Sequence, residues 1–193
     1  LVQLDRAQQD YARALEFDPE HLPALVCLRF LHQSLGDWPG LCRDLEHLAA
    51  LEADPATRAG FLLRAGSLHL HRTGDLESAT RTLAAAAGAA LDNPAPLTRL
   101  AQVYDITGHR EELIGALRQL LGLTVDGPGR AALLTRIGWL LQRQTNRVDE
   151  AIAAYRQALE THGGYYPALQ ALGTLHRQRG EFAHLVEILA PEA

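Results

Sequence analysis

Leucine and alanine recur along the chain at spacings of three and four, the signature of amphipathic helices. In residues 22–35, Leu25, Leu28 and Leu31 share one face. Pro23 stands in the first turn, where its missing N–H costs nothing, and Gly36 stops the run. Leu41, Leu45, Leu48 and Leu51 then line one side of a second helix, and Asp54-Pro55 breaks the chain. Phe61, Leu62, Ala65 and Leu68 mark a third helix ending near Gly74, and a fourth follows over 76–91. Carried to the end, the pattern predicts about eleven helices, over 2–17, 22–35, 38–52, 57–73, 76–91, 95–107, 110–123, 129–145, 148–161, 166–179 and 181–189. No segment alternates as a strand does.

The four-helix block repeats with a period of 72. Gly36, Gly108 and Gly180 obey it, as do Leu25, Leu97 and Leu169, and Leu41, Leu113 and Leu185. Ala7, Ala79 and Ala151 follow the same offset, with Ala14, Ala86 and Ala158. Paired members include Arg58 and Arg130, Gly66 and Gly138, and Leu68 and Leu140. The block is two helical hairpins, with hairpins starting near residues 22, 56, 94, 128 and 165. One hairpin cannot bury its apolar face alone; stacked hairpins share a continuous core.

Asp149-Glu150-Ala151-Ile152-Ala153-Ala154-Tyr155-Arg156-Gln157-Ala158-Leu159-Glu160 resembles the second helix of a tetratricopeptide repeat. Tyr11 to Pro19 is similar to the end of that helix and its exit turn, and Leu172-Gly173 with Gly180 to the first helix. The resemblance covers essentially all 193 residues. It implies an all-α, right-handed α-solenoid of stacked antiparallel hairpins, one domain over 1–193 with partial repeats at both ends. Ala151, Ala158 and Gly138 are small where helix backbones approach closely. The sequence departs from the family in Leu41, Leu113 and Leu185, which replace alanine, and in longer internal turns around Thr73-Gly74-Asp75 and Thr145-Asn146-Arg147.

Composition narrows the chemistry. Every one of the 18 basic side chains is arginine, the net charge is -5, and 47% of residues are hydrophobic. The acidic balance argues against a nucleic-acid partner, and no apolar run approaches the length of a membrane span. The chain opens without methionine on a helix already in progress, and so reads as an internal or processed piece of a longer protein; the all-arginine basic set with abundant alanine and leucine suggests a GC-rich bacterial gene, and a cytoplasmic parent is favoured. Half-hairpins at its ends would then expose surfaces capable of end-to-end self-association. Two cysteines, Cys27 and Cys42, cannot staple a disulfide framework and read as buried small residues. His69 and His71 lie about 200° apart around a helix and cannot hold one metal. The remaining histidines read as surface or turn residues. No nucleophile–histidine–acid set, phosphate loop or catalytic carboxylate pair can be picked out, so neither enzyme activity, metal nor cofactor is expected.

Binding is the better expectation. The resemblance implies that first helices line a concave groove for a peptide or protein ligand. The family's register points Val26, Phe30 and Gln33 inward from the hairpin near 22, and Leu63, Ser67, Leu70 and His71 from the next. It adds Thr98, Gln102 and Asp105, then Thr135, Trp139, Gln142 and Arg143, and finally Gln170, Thr174 and Arg177. Trp139 and Phe30 are either aromatic anchors of that groove or packing between hairpins. Arg143 and Arg177 suit a carboxylate or phosphate. A chaperone-tail clamp of the family's lysine-and-asparagine kind is disfavoured by the absence of lysine and the placement of Asn93 and Asn146 in turns. The rival reading is a structural spacer in a longer solenoid, or the repeat region of a multidomain enzyme or signalling protein.

Overall fold

The computed structural model describes residues 2–143 and 147–181. Its helices are α1 (Val2–Phe17), α2 (Leu22–Leu35), α3 (Trp38–Leu51), α4 (Pro55–Leu68), α5 (Leu76–Ala89), α6 (Pro94–Thr107), α7 (Arg110–Leu123), α8 (Gly127–Gln142), α9 (Val148–Thr161) and α10 (Tyr166–Arg179). No strand occurs among the described residues. The helix expected over 181–189 lies, beyond Glu181, outside them, as do Thr145 and Asn146 of the expected long turn.

The 72-residue period is built into the elements themselves. Helices α2, α6 and α10 begin at Leu22, Pro94 and Tyr166 and end at Gly36, Gly108 and Gly180, whose φ values of 71°, 75° and 71° only glycine adopts without strain. Asp54 and Asp126 cap α4 and α8, accepting from the N–H groups of Thr57 and Gly129. Arg58 donates to the carbonyl oxygens of Glu52 and Ala53, and Arg130 to those of Leu121 and Thr124, so the repeated arginine ties each first helix to the helix before it.

Helix α4 differs from the expectation. The extra residues near Gly74 do not form a longer turn. They extend α4 as a π-helical segment, His69–Thr73, and Gly74 (φ 70°) then closes the hairpin in the same left-handed way as the others.

The chain divides into two compact units, Leu1–His109 and Arg110–Ala193. In the first, each of α1 to α6 packs on its chain neighbours, and α4 also meets α6. Leu41, Leu45 and Ala65 form one buried cluster, and Leu70, Leu83, Leu100 and Val103 another. In the second, α7 packs on α8, α8 on α9 and α9 on α10, with α8 also meeting α10. Its core holds Leu113, Ile114, Leu117, Leu141, Tyr155 and Leu172.

Candidate functional site

The second unit carries a cleft of about 510 Å³ between α8 and α10, floored by α9. Steps of three and four along α8 bring Ala132, Thr135, Arg136, Trp139 and Gln142 to one wall. Pro167, Gln170, Ala171 and Thr174 of α10 form the other, with Tyr165 at its N-terminal end. Tyr155 reaches the floor because Gly138 has no side chain: a Cβ there would stand 2.7 Å from the tyrosine ring. The phenol donates to Gln142 Oε1 at 3.0 Å, and burial pushes its pKa up to about 12. It therefore remains a protonated donor at any physiological pH.

Trp139 is 47% exposed, and the Arg143 guanidinium lies 4.2 Å over its ring. The hydroxyls of Thr135 and Thr174 donate to the Ala131 and Gln170 carbonyls and face the cleft as acceptors only. Among the described residues no aspartate or glutamate lines the cleft.

Of the residues that the family's register points inward, the cleft brings together Thr135, Trp139, Gln142, Gln170 and Thr174, with Arg143 stacked on the tryptophan. Arg177 is exposed in the last turn of α10, one turn beyond Thr174. In the first unit, Phe30 is 57% exposed with the Arg29 guanidinium 4.9 Å from its ring, and Gln33 accepts a hydrogen bond from Arg64 that links α2 to α4. His71 and Asp105 are exposed, and Gln102, half-buried, accepts from Arg99. Leu70 is not on an open face: the π-helical segment carries it into the core against Leu83, Leu100 and Val103. Sequence reasoning missed Tyr155 and Tyr165 as cleft residues. Tyr155 lies in the second-helix motif, and the Tyr165-Tyr166-Pro167 run at a hairpin start was its partner signal.

Two histidines expected at the surface are buried. His32 places Nδ1 2.5 Å from Asp44 and Nε2 3.1 Å from the Gln8 amide. His176 meets Glu181 at 2.7 Å across the turn at Gly180. Each sits on the inner face of a first helix, and the acid partner lowers the cost of burying an imidazole. Burial raises the Asp44 pKa, and the hydrogen bond from His32 opposes that rise. His69 is half-buried on Glu46, which also accepts from Thr82 at 2.9 Å. Cys42 is buried beside the Ala65 carbonyl with its thiol pushed up to about 11 by burial, while Cys27 is only partly buried; both are free. Among the described residues no three histidine, cysteine, aspartate or glutamate side chains gather as a metal site would need, and no helix is long and apolar enough to cross a membrane.

The tetratricopeptide repeat family model matches residues 131–161, the segment that contains most of α8 and all of α9. No curated protein matches the sequence. Among solved structures, the MamA protein is 19% identical with a TM-score of 0.55, over 86% of each chain. BtubC (BKLC) from P. vanneervenii is 17% identical with a TM-score of 0.54, over 97% of this chain and 85% of its own. YrrB, described as a TPR protein with an unusual peptide-binding site, is 17% identical with a TM-score of 0.51, over 88% and 83%. At these identities the likeness is one of fold. With the glycine-closed hairpins, the small residues at close helix approaches and the matched repeat, it identifies the chain as a tetratricopeptide-repeat-like helical protein.

Proposed function

We propose that the chain is a non-enzymatic interaction scaffold that takes a peptide segment of a protein partner into the cleft between α8 and α10. The observation that carries this reading is the cleft itself, with a half-exposed tryptophan on one wall. Tryptophan, tyrosine and arginine are the residue types that dominate binding energy, and Trp139, Tyr165 and Arg143 bring all three to one place. The cavity is of the size that accepts a few side chains rather than a folded surface. YrrB, a protein of similar fold with an unusual peptide-binding site, supports it.

The test is a selection of random dodecapeptides displayed on phage against the immobilised chain. Enriched peptides are synthesised and titrated by fluorescence anisotropy. Trp139→Ala should weaken them about tenfold or more while the circular dichroism stays helical. If no enriched peptide responds to Trp139→Ala, the cleft is not the binding site. A spacer role then becomes the better account, and it is checked by concentration-dependent end-to-end association in sedimentation.

A further inference from the structure

We infer that the α8–α10 cleft selects acidic peptide segments in which a carboxylate neighbours an apolar or aromatic side chain, an inference that rests on the peptide-cleft reading above. It comes from asking which hydrogen-bond donors the cleft has left to offer. The Tyr155 hydroxyl is committed to Gln142 Oε1, and the Thr135 and Thr174 hydroxyls to carbonyls of their own helices. Because Gln142 Oε1 is occupied as an acceptor, its amide nitrogen remains with two donors. Arg136 on the α8 wall is already engaged, and the guanidinium groups of Arg143 and Arg177, one turn beyond Trp139 and Thr174, supply further donors. Arg143 is held in place on the indole, which reduces the rotamer entropy lost on pairing, and stacking leaves its in-plane N–H groups at the edge. Arg177 follows Thr174 on α10 in the same turn-by-turn line. Among the described residues no carboxylate lines the cleft, although acidic residues outnumber basic ones in the chain, 23 to 18. A cleft bordered by cationic donors, with no acid among its described lining residues, is complementary to an anion.

The walls say what accompanies the charge. Ala132, Pro167, Ala171 and the faces of Trp139 and Tyr155 are apolar, so a bare anion would leave them wet while an adjacent leucine or phenylalanine would cover them. A nucleic acid is the competing polyanion. It needs a series of cations along its backbone, which the net charge of -5 disfavours.

The experiment uses the full chain and the same dodecapeptide selection, scored for composition, with a single-stranded thymidine decanucleotide as a second probe. The expected result is enrichment of aspartate or glutamate within two positions of an aromatic or branched apolar residue. A consensus peptide should weaken at least tenfold when its acid is replaced by the amide. The double variant Arg143→Gln, Arg177→Gln should remove that acid-versus-amide difference, so that acid and amide peptides bind it alike whatever affinity they share. Peptides that enrich without acid, or with basic residues, and still depend on Trp139 would overturn the selectivity while leaving the peptide cleft standing. Peptides that ignore Trp139→Ala overturn both. Tighter binding of the oligonucleotide than of any peptide overturns the assignment to protein ligands.

Discussion

The two units are built from the same 72-residue block, yet equivalent positions do opposite things. In the first unit Gly66 admits Leu83, which packs against Leu70 and closes a dry core. In the second, Gly138 admits Tyr155, whose hydroxyl holds Gln142 at the floor of an open cleft. The exchange runs the other way across the second helices. Glu46, His69 and Thr82 make a polar knot in the first unit. The matching residues of the second are Arg118, Leu141 and Ala154, and they border a small, largely apolar cavity of about 240 Å³. Backbone period and side-chain chemistry are therefore separable. Glycine, alanine and capping positions repeat because close helix approaches and chain reversals allow few substitutes. The residues between them are free to seal a groove or open one.

The largest effect should come from removing the side chains that fill the two glycine notches. Tyr155→Ala should cost about 3–5 kcal/mol and Leu83→Ala about 2–5 kcal/mol, read by urea denaturation, because both side chains are fully buried. A sharper version keeps the volume and changes the chemistry. The pair Tyr155→Leu, Gln142→Leu gives the second unit the apolar contact of the first. Stability should change by less than about 1.5 kcal/mol, while affinity for cleft ligands falls at least tenfold. Loss of stability with retained binding would mean that the tyrosine–glutamine pair holds the fold and not the cleft.

Most of the helical framework was legible in the sequence, and the reason is local. Helices α1, α2, α7, α9 and α10 begin and end where leucine spacing, proline and glycine put them. Trp139, Gln142 and Thr174 fall on the cleft because the family's register marks one face of each first helix, and regular α-helical geometry in α8 and α10 keeps that face together. Tyr155 was not, because its role depends on a missing side chain at Gly138, on a different helix. Leu70 was misplaced because the π-helical segment His69–Thr73 shifts the register of the face by part of a turn, and periodicity counts assume 3.6 residues throughout. His32 and His176 read as surface residues because their acid partners, Asp44 and Glu181, lie on another element or across a turn.

The polar knot offers a test of intermediate size. Glu46→Ala leaves the Thr82 hydroxyl, 3% exposed, and the His69 imidazole without their acceptor, at about 1–3 kcal/mol. Adding His69→Leu and Thr82→Ala brings in the side chains of the second unit and should recover most of that loss, since removing all the polar partners together strands none. If the triple variant is as unstable as the single one, the knot holds the π-helical segment by more than its hydrogen bonds, and hydrogen exchange at residues 69–73 should rise with it.

The smallest effect separates the units by how they start a helix. Asp75 caps α5 by accepting from the Ser78 N–H, whereas the matching residue before α9 is Arg147, which bridges Glu111 and Glu150. Hydrogen bonds from the Ser78 backbone hold the Asp75 pKa below its usual value of 3.8, and those from Thr57 do the same for Asp54. A lowered carboxylate favours folding above the usual value, and that contribution disappears as pH falls through the lowered one. Asp44 has the opposite sign: burial raises its pKa, so protonation between that raised value and 3.8 relieves the first unit before the caps begin to fail. In the second unit Glu150 is lowered by its hydrogen bond to Arg147, and that ion pair is solvent-exposed. Salt screens such a pair but leaves a capping hydrogen bond intact. Each unit carries one of the two tryptophans, Trp38 and Trp139, so Trp139→Phe and Trp38→Phe variants report the units one at a time. The first unit should show a shallow rise and then a fall in thermal midpoint on acidification, insensitive to 1 M NaCl. Asp44→Asn should abolish the rise, and Asp75→Asn, which still caps, should flatten the fall. The second unit should lose a little stability in salt at neutral pH, and Arg147→Gln should remove that salt dependence. Equal salt sensitivity in both units would show that the aspartate caps act through charge rather than through their hydrogen bonds.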